Sequence, residues 1–368
     1  MKILFSTDQT YLHGGIERVM ATKANYFAQI NAIEVSVLTT EQKGYTNCYD
    51  CDEKIKTIDL GVNYDRDSSY FSWRNIKKAW SHFWKQRKLI RTMKPDAIIS
   101  INYNLDHIWL PFIKNKSLLI KERHSSRFQE HEIFKNGSLL SKMKLKWMDW
   151  IEKKYDYIAV LNEDEAKYIR TQNTVVIPNP ISNTELAANL ENKIVIAAGR
   201  LAPVKAFDEL IQIWKLIHLD FPDWQLHIYG DDYLNTKEEL LALIEELELK
   251  STVVLKGVTN HLMEKMQEAS IYAMTSITEC FPMVLLEAQS IGLPIVTYDC
   301  PNGPRNIVTD GDDGFLVPQN DRNLFAQKLK LLMSSESERK KMGKVAKENG
   351  SRFDLENVMN KWLKLLNL

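Results

Sequence analysis

The residues best suited to chemistry lie in the stretch TECFPMVLLEA at positions 278–288. Pro282 is typical of the first turn of a helix, which places Glu279 in the preceding loop and Glu287 further along the helix. Apolar residues surround Glu287, so its carboxylate is expected to be buried and to need hydrogen-bond partners. Ligand hydroxyls could supply them, and the helix N-terminus could bind an anion. The simplest alternative is one capping and one peripheral glutamate.

A second candidate is the stretch AGRLAPVK at 198–205, which follows a predicted strand. It places Arg200 and Lys205 five residues apart in a strand-to-helix loop. A planar guanidinium and a compact ammonium together suit the two phosphates of a diphosphate. Two solvated surface cations would give the same pattern, so the stretch alone leaves both interpretations open.

A third candidate is HGGIER at 13–18, directly after the first predicted strand. Gly14 and Gly15 would let the backbone approach a ligand, because glycine has no Cβ. The helix that follows would direct its first N–H groups at an anion such as phosphate. A tight turn would use the same two glycines. The full dinucleotide fingerprint G-x-G-x-x-G is absent here, which disfavours a nicotinamide-dependent dehydrogenase.

The elements that must position these residues are short apolar strands alternating with amphipathic helices. This alternation predicts an α/β protein with parallel sheets wound by helices. Two such series occur in succession, so we expect two Rossmann-like domains, 1–180 and 181–368, divided at the PNP stretch of 178–180. The predicted strands are 2–6, 34–39, 55–60, 97–101, 118–121, 157–161, 175–177, 194–198, 225–229, 253–256, 271–275, 294–298 and 315–317.

Length and composition agree with this organisation. The chain has 368 residues, of which 44% are hydrophobic and 26% charged, as in a globular protein of two domains. No apolar run approaches the roughly 18 residues of a membrane span, and the N-terminus does not resemble a secretory signal. Cys48 and Cys51 match C-x-x-C, but no second pair completes a zinc site, which favours reduced thiols. We therefore expect a cytoplasmic protein.

The two halves of the chain differ in charge. Residues 1–180 hold 28 Lys and Arg against 21 Asp and Glu, a net +7, whereas residues 181–368 hold 20 against 27, a net −7. Two stretches, 73–93 and 139–154, combine bases with tryptophan. In the simplest interpretation, an apolar stripe packs on the helix's own sheet and the bases are solvated. The alternative is an interfacial membrane helix at the inner face of the cell membrane. Nucleic-acid binding is disfavoured, since the chain is neutral and no nucleic-acid module is recognisable.

Taken in order, the three motifs resemble those of the retaining, family-4 type of GT-B glycosyltransferases. Further matching pieces follow in the family's order: GLPIV at 292–296, PNGP at 301–304 and GDDGFLV at 311–317. The resemblance covers nearly the entire chain. It implies a GT-B fold, with two Rossmann-like doubly wound domains facing each other across a cleft. It also implies an N-terminal acceptor domain and a C-terminal donor domain whose last helix could pack back on the first.

The resemblance also implies roles for individual residues. Arg200 and Lys205 would hold the donor diphosphate, Glu287 the ribose hydroxyls and Glu279 the hydroxyls of the transferred sugar. The segment KERH at 121–124 is similar to the one that ends in the family's active-site histidine, so His124 would lie against the donor sugar. The implied catalytic residues are Glu279 and His124, and the implied donor-binding residues are Gly14, Gly15, Arg200, Lys205, Phe281, Pro282, Met283, Val284, Leu285 and Glu287.

The sequence departs from the family pattern at three places. Ala206 replaces a common glycine, Arg305 and Asn306 stand where glutamate is frequent, and the stretch 280–282 reads CFP rather than GFG. These changes leave the identity of the donor sugar open. D-x-D patterns occur at 50–52, 65–67 and 310–312, but none directly follows a predicted strand. Since Arg200 and Lys205 can neutralise a diphosphate, we expect neither a catalytic metal nor a cofactor.

The expected activity is retaining transfer of a hexose or N-acetylhexosamine from a nucleotide sugar to a glycan or lipid-linked saccharide. The resemblance favours a UDP-sugar as donor, and the expected setting is polysaccharide biosynthesis. A peripheral membrane contact through the basic helices would suit a lipid-linked acceptor. Two alternatives stay open: a UDP-sugar 2-epimerase of the same fold, and an inactive protein that only binds a sugar nucleotide.

Overall fold

The computed structural model describes residues 1–69, 72–101, 105–135, 137–182 and 184–368, and for Ile133 the backbone alone. The chain forms two compact units. The first comprises Met1–Pro180 together with Met359–Leu368, and the second comprises Ile181–Val358. Each unit is built on one parallel sheet.

The first unit has a seven-stranded sheet in the order β3-β2-β1-β4-β5-β6-β7. All of its neighbouring strands are parallel. The central strands are short apolar runs that are buried on both faces, as expected when helices cover both sides of a parallel sheet. The strands are β1 (Lys2–Ser6), β2 (Glu34–Thr39), β3 (Lys56–Asp59), β4 (Ala97–Ser100), β5 (Leu118–Glu122), β6 (Tyr157–Val160) and β7 (Thr174–Val176).

The helices of the first unit are α1 (Gly15–Ala28), α2 (Trp73–Met93), α3 (Leu110–Ile113), α4 (Arg127–Lys135), α5 (Leu139–Glu152) and α6 (Glu163–Ala166). The last helix, α13 (Leu355–Leu365), belongs to this unit from Met359 onward. One core cluster joins Ile90 of α2, Leu110 of α3 and Ile151 of α5 with residues of the central strands. These three helices therefore pack on the same core.

The second unit has a six-stranded parallel sheet in the order β10-β9-β8-β11-β12-β13. Its core gathers around the fully buried Trp214. The strands are β8 (Ile194–Ala198), β9 (Gln225–Tyr229), β10 (Val253–Gly257), β11 (Ile271–Met274), β12 (Ile295–Tyr298) and β13 (Gly314–Val317). The helices are α7 (Phe207–Lys215), α8 (Thr236–Glu246), α9 (Leu262–Gln267), α10 (Met283–Ser290), α11 (Arg322–Ser334) and α12 (Glu336–Gly350).

The predicted α/β class with two Rossmann-like sheets is confirmed. Each of the thirteen predicted strands is present, with both ends within one residue of the prediction. In the described part of the chain, no helix combines the length and hydrophobicity needed to cross a membrane.

The order of the strands shows where each unit is suited to bind a ligand. In the first unit the connections reverse direction between β1 and β4, and in the second between β8 and β11. Open parallel sheets bind ligands beyond the carboxyl ends of the strands at such a switch point. The loops of Gly14 and Gly15, after β1, and of Arg200 and Lys205, after β8, start there.

Candidate functional site

The loop after β8 is shaped by two glycines. The φ angle of Gly199 is +156°, and the aliphatic part of Lys205 lies over it, with Cε 3.2 Å from where a Cβ would stand. A Cβ at Gly230, after β9, would lie only 1.9 Å from the carbonyl oxygen of Gly199. Glycine at 230 therefore lets the neighbouring loop pack directly against this backbone. The guanidinium of Arg200 lies 5.2 Å from the ring centroid of Tyr233.

A short 3₁₀ turn, Pro203–Lys205, carries the lysine and leads into α7. Ala206 follows it in the left-handed conformation, with φ +47°. A glycine would adopt this conformation more easily, because the Cβ of alanine is sterically unfavourable in the left-handed region. The hydroxyl of Thr275 donates to the carbonyl of Ala206 at 2.8 Å, and the amide of Ile277 donates to that of Val204 at 2.8 Å. The loop after β11 thus holds the loop after β8 in place.

Lys205 and Glu279 form an ion pair at the meeting point of these loops. The lysine Nζ lies 2.5 Å from Oε1 of the glutamate, and the side chains are 24% and 14% exposed. The pair is shielded on most sides but still accessible to solvent. The structure therefore brings together two residues that the sequence placed in separate motifs.

The backbone of Glu279 is held by a third loop, which follows β12. Its amide donates to the carbonyl of Pro301 at 3.1 Å, and its carbonyl accepts from the amide of Asn302 at 3.1 Å. A Cβ at Gly303 would lie 2.8 Å from Cδ of Pro282 and 2.9 Å from the carbonyl oxygen of Glu279. Glycine at 303 is thus needed for the close approach of the PNGP segment to Glu279 and Pro282.

Pro282 is the cap residue before α10 and has an extended conformation, with φ −69° and ψ 112°. Its predicted place in the first helical turn is wrong by one position, because α10 begins at Met283. Met283 and Val284 therefore lie in the first turn, where backbone amides have no acceptor within the helix. Leu285 is fully buried and its amide donates to the carbonyl of Pro282 at 3.1 Å, so neither its side chain nor its amide is available to a ligand. Phe281 is also buried, with its ring edge-on to Phe353.

Glu287 lies about one turn into α10 and is only 1% exposed, as its apolar neighbours predicted. Burial raises the pKa of the Tyr272 hydroxyl well above its usual value, and the nearby charges of Glu287 and Glu279 raise it further. The Tyr272 hydroxyl donates to the carbonyl of Ala198, the last residue of β8, at 3.1 Å. Through this hydrogen bond, Tyr272 anchors the end of β8, where the Arg200 loop starts.

Cys300 is a further buried residue close to Glu279 that the sequence did not single out. It is fully buried after β12, and burial together with the charges of Glu279 and Asp299 raises its thiol pKa to about 12. Position just after the carboxyl end of a predicted strand was the available signal for Cys300. Tyr272 stands near the amino end of its strand, and no comparable signal marked it. No disulfide joins any of the four cysteines, all of which lie in the described part of the chain.

In the first unit, Gly14 caps α1 and Gly15 is its first residue, as predicted. A Cβ at Gly14 would lie 2.3 Å from Oε2 of Glu17, so the glycine makes room for that carboxylate. Gln9 holds Oε1 of Glu17 through a 2.6 Å hydrogen bond. Burial raises the pKa of Glu17. A carboxylate thus stands at the helix N-terminus that was predicted to receive an anion.

His124 follows β5, and its side chain is only 5% exposed. Its Nε2 lies 3.2 Å from Oε1 of Glu122, whose other oxygen pairs with Lys23 of α1. Burial alone would raise the pKa of Glu122, but the charges of Lys23 and His124 outweigh it and lower that pKa to about 2. The Lys23 ammonium also lies 4.6 Å from the ring centroid of Trp362 on α13. One carboxylate therefore holds both a lysine and the histidine.

Sequence reasoning missed Lys23 and Glu122. A signal existed for Lys23, because it follows Val19 and Met20 and precedes Phe27 at the spacing of one helix face. A cation on an otherwise apolar face needs a partner. Glu122 was quoted within KERH but given no role of its own.

The predicted site residues therefore fall into two groups. Arg200, Lys205, Glu279 and the residues from Phe281 to Glu287 lie at the carboxyl end of the second unit's sheet, whereas Gly14, Gly15 and His124 belong to the first unit. Across the described ranges, no three His, Cys, Asp or Glu side chains are grouped so that they could hold a metal ion. The absence of a catalytic metal stays a prediction.

Comparison with known proteins assigns this arrangement to a family. Residues 180–349, which contain all the candidate residues of the second unit, match the family model of glycosyl transferases group 1. An uncharacterized glycosyltransferase of Haemophilus influenzae is 28% identical over 370 residues, with 96% of each chain covered. Residues 180–349 therefore belong to the group 1 glycosyltransferases, and the chain resembles a glycosyltransferase along nearly its whole length. The predicted family is thereby confirmed.

Two further proteins resemble this chain. It is 32% identical, over 48% of its own length and 47% of the other, to a Campylobacter jejuni N-acetylgalactosamine-N,N'-diacetylbacillosaminyl-diphospho-undecaprenol 4-alpha-N-acetylgalactosaminyltransferase. Its fold matches that of Staphylococcus aureus TarM, crystallised with fondaparinux, α-GlcNAc-glycerol and UDP. That match has a TM-score of 0.75 at 17% identity and covers all of both chains. The predicted GT-B fold is confirmed.

Proposed function

We propose that this glycosyltransferase moves a hexose or an N-acetylhexosamine from a UDP-sugar to a glycan or lipid-linked saccharide. In this proposal the transfer retains the anomeric configuration and needs no metal ion. The observation that carries it is the Lys205–Glu279 pair, which unites a cation and a carboxylate at the switch point of the second unit's sheet. The negative charge of a diphosphate complements the lysine, and the hydroxyls of the attached sugar can donate hydrogen bonds to the carboxylate.

The donor diphosphate is assigned to Arg200 and Lys205. When the bond between the sugar and the diphosphate loosens, negative charge grows on the leaving oxygen. Cations and helix-terminal amides that are already in place stabilise that charge without reorganisation, which is commonly the largest catalytic contribution. The first amides of α10, at Met283 and Val284, are the nearest helix terminus to Glu279 in sequence. These groups take the part that a divalent cation plays in metal-dependent transferases.

Retention follows if the acceptor attacks from the face that the leaving group vacates. The bond from the sugar C1 to the diphosphate breaks, the bond from C1 to the acceptor oxygen forms, and the acceptor proton passes to the leaving diphosphate. No side chain has to form a covalent intermediate. The Campylobacter jejuni relative is named for forming an α linkage. Since common UDP-hexoses carry an α linkage to the diphosphate, an α product would mean retention.

The two glutamates have separate roles in this proposal. Glu279 accepts hydrogen bonds from hydroxyls of the transferred sugar, with Lys205 fixing the orientation of its carboxylate. Glu287 accepts hydrogen bonds from the ribose, since a carboxylate that is 1% exposed gains most from specific donors. His124 is assigned to the sugar by the family resemblance.

Support for the substrates comes from the relatives. TarM was crystallised with UDP, and the Campylobacter jejuni relative is named for an acceptor built on diphospho-undecaprenol. A lipid-linked acceptor would keep the enzyme at the inner face of a membrane.

The test begins with a thermal-shift panel of UDP-, GDP-, ADP- and dTDP-sugars, because a bound ligand raises the unfolding temperature by mass action. The donor that stabilises most is then incubated with and without oligosaccharide and lipid-linked acceptors, and the product anomer is read by NMR. We expect stabilisation by a UDP-sugar and an α-linked product only when acceptor is present. Epimer formation without acceptor would replace the proposal with a UDP-sugar 2-epimerase, and no stabilisation by any donor would favour an inactive binding fold.

A further inference from the structure

Helix α2 buries several polar side chains and exposes its three tryptophans. Asn75, His82 and Gln86 are fully buried, whereas Trp73, Trp80 and Trp84 are 70%, 67% and 45% exposed. An apolar stripe of α2 does pack on the core, through Ile90 with Phe83, Leu89 and Met93 beside it, but the three tryptophans are not part of that stripe. The burial of the amides and the imidazole needs an explanation, and so does the exposure of the three indoles.

The buried side of α2 is explained by hydrogen bonds. Gln86 accepts from Nε1 of Trp109 at 2.7 Å and donates to Oδ2 of Asp106 at 3.0 Å. Asn75 accepts from the amide of Asp65 at 3.0 Å and donates to its carbonyl at 2.9 Å. Since these polar groups are satisfied within the protein, the inward face of α2 is fixed. The indoles have to face outward.

The outward face of α2 is both aromatic and cationic. The helix contains seven Lys and Arg residues and no Asp or Glu. Lys77 lies 5.4 Å from the ring centroid of Trp73, and Arg87 lies 5.1 Å from that of Trp84. Tryptophan prefers the boundary between water and lipid, and lysine and arginine can reach headgroups above it.

Helix α5 carries a second exposed stripe. Its exposed apolar residues recur at helix spacing and are Leu139, Leu140, Met143, Trp147 and Trp150. Its two acids do not lie on that stripe, because Asp149 and Glu152 are buried and pair with arginines. The exposed charges of α5 are therefore Lys142, Lys144 and Lys146.

Helix α3 contacts both α2 and α5. Phe112 is 59% exposed, and its ring centroid lies 6.1 Å from that of Trp150 on α5. Trp109, the cap residue of α3, lies 6.0 Å from Phe83 of α2. Since α2, α3 and α5 also share one core cluster, their exposed faces belong to the same side of the first unit.

A cationic cavity adjoins the α5 stripe. It has a volume of about 320 Å³ and is lined in part by Lys135, Lys142, Lys146 and Arg170. A cavity with four cationic side chains suits the phosphate of a lipid headgroup. The surface therefore combines interfacial indoles, exposed leucines and a place for anionic headgroups.

We propose that the exposed face of α2, α3 and α5, here called the tryptophan face, docks on an anionic lipid bilayer. Indoles and leucines would enter the interfacial layer while the lysines and arginines contact anionic headgroups. Binding to a bilayer needs neither donor nor acceptor, so this proposal can fail while the proposed transferase activity stands. Equally, the proposed transferase activity can fail while the chain still binds a bilayer.

The test is co-sedimentation of the full chain with vesicles of phosphatidylcholine alone or mixed with phosphatidylglycerol. We expect binding to the mixed vesicles that weakens as salt is raised, because exposed charges are screened. Trp80→Ser combined with Trp84→Ser, and separately Trp147→Ser combined with Trp150→Ser, should each lower partitioning by about tenfold. Lys77→Gln combined with Lys88→Gln should lower it by roughly tenfold and flatten the salt dependence.

The matched control is Leu219→Ser, which removes an 81% exposed leucine from the second unit and should leave partitioning unchanged. Thermal unfolding and UDP-sugar binding of each variant verify that the fold is intact. The proposal is overturned if the wild-type chain ignores anionic vesicles, or if either tryptophan pair can be replaced without loss. It is also overturned if the tryptophan variants convert a dimer to a monomer while vesicle binding persists, since the face would then join two copies of the chain.

Discussion

The ammonium of Lys205 lies 2.5 Å from the carboxylate of Glu279 across 74 positions of sequence. The pair joins the loops after β8 and β11, the two strands that flank the switch point of the second unit. Before a donor arrives, each charge is the other's partner. A diphosphate can take over part of the interaction with the lysine, while the glutamate stays oriented toward the sugar.

Glu279→Gln is expected to lower kcat by about 100-fold with a smaller change in the donor KM, because a carboxylate that contacts the sugar counts most as charge develops in transfer. Glutamine keeps the shape and can still accept from Lys205. Steady-state kinetics with the stabilising donor measures both parameters. Glu238→Gln, at an exposed position of α8, is the control. Near-normal kcat in a folded Glu279→Gln variant would remove Glu279 from the mechanism.

The Glu122 carboxylate gives a prediction about pH. Its pKa is lowered from 4.5 to about 2 in the folded chain, so its contribution to stability is present above the unfolded value and disappears as the pH falls through the folded one. At neutral pH, Glu122→Gln should cost about 3–5 kcal/mol, since Lys23 would be left buried without its counter-charge.

Denaturant titrations between about pH 6 and about pH 3 measure the free energy of unfolding of both proteins. The difference between wild type and Glu122→Gln should shrink as the pH falls toward the lower end. Glu238→Gln should show no comparable difference at any pH. A wild-type advantage that stays constant on acidification would contradict the assignment of the stabilisation to the Glu122 charge.

Gly230→Ala tests the packing of the donor loop. A methyl group there would stand 1.9 Å from the carbonyl oxygen of Gly199, so the loop that carries Arg200 must move. Overpacking of this kind costs about 1–3 kcal/mol, and the displacement should also raise the donor KM. Thermal unfolding and donor titration check the two effects. An unchanged donor KM would show that the position of Gly199 does not matter for binding.

The response to a chelator tests the predicted independence of metal ions. Because Arg200 and Lys205 supply the positive charge beside the diphosphate, EDTA should change the transfer rate by less than about twofold. The assay compares EDTA-treated enzyme with enzyme supplied with Mg²⁺ or Mn²⁺. Activity that EDTA abolishes and one of these ions restores would place a metal in the reaction.

Local patterns predicted much of the fold. Buried parallel strands are apolar runs that are short and bounded by turn residues, so each predicted strand, from 2–6 to 315–317, has a counterpart in the sheets. The Gly14–Gly15 helix start and the burial of Glu287 were predictable for the same reason, because each depends on neighbours in sequence.

Features that depend on distant partners were not predictable. The pairing of Lys205 with Glu279 requires the strand order β8-β11, which periodicity does not contain. Periodicity also shows that α2 has two faces without showing which one is buried. That choice depends on Trp109 and Asp106, which bind Gln86 from another segment of the chain.

The central claim is that Arg200 and Lys205 bind the diphosphate of a nucleotide sugar, and calorimetric titration of UDP and a UDP-sugar tests it most directly. The wild-type chain should bind both ligands, and Lys205→Ala should weaken each by about tenfold or more, since a charge-assisted contact is lost. Lys250→Ala, at an exposed lysine of the same unit, should bind as the wild type does. Equal affinity of Lys205→Ala and wild type for UDP would contradict the account.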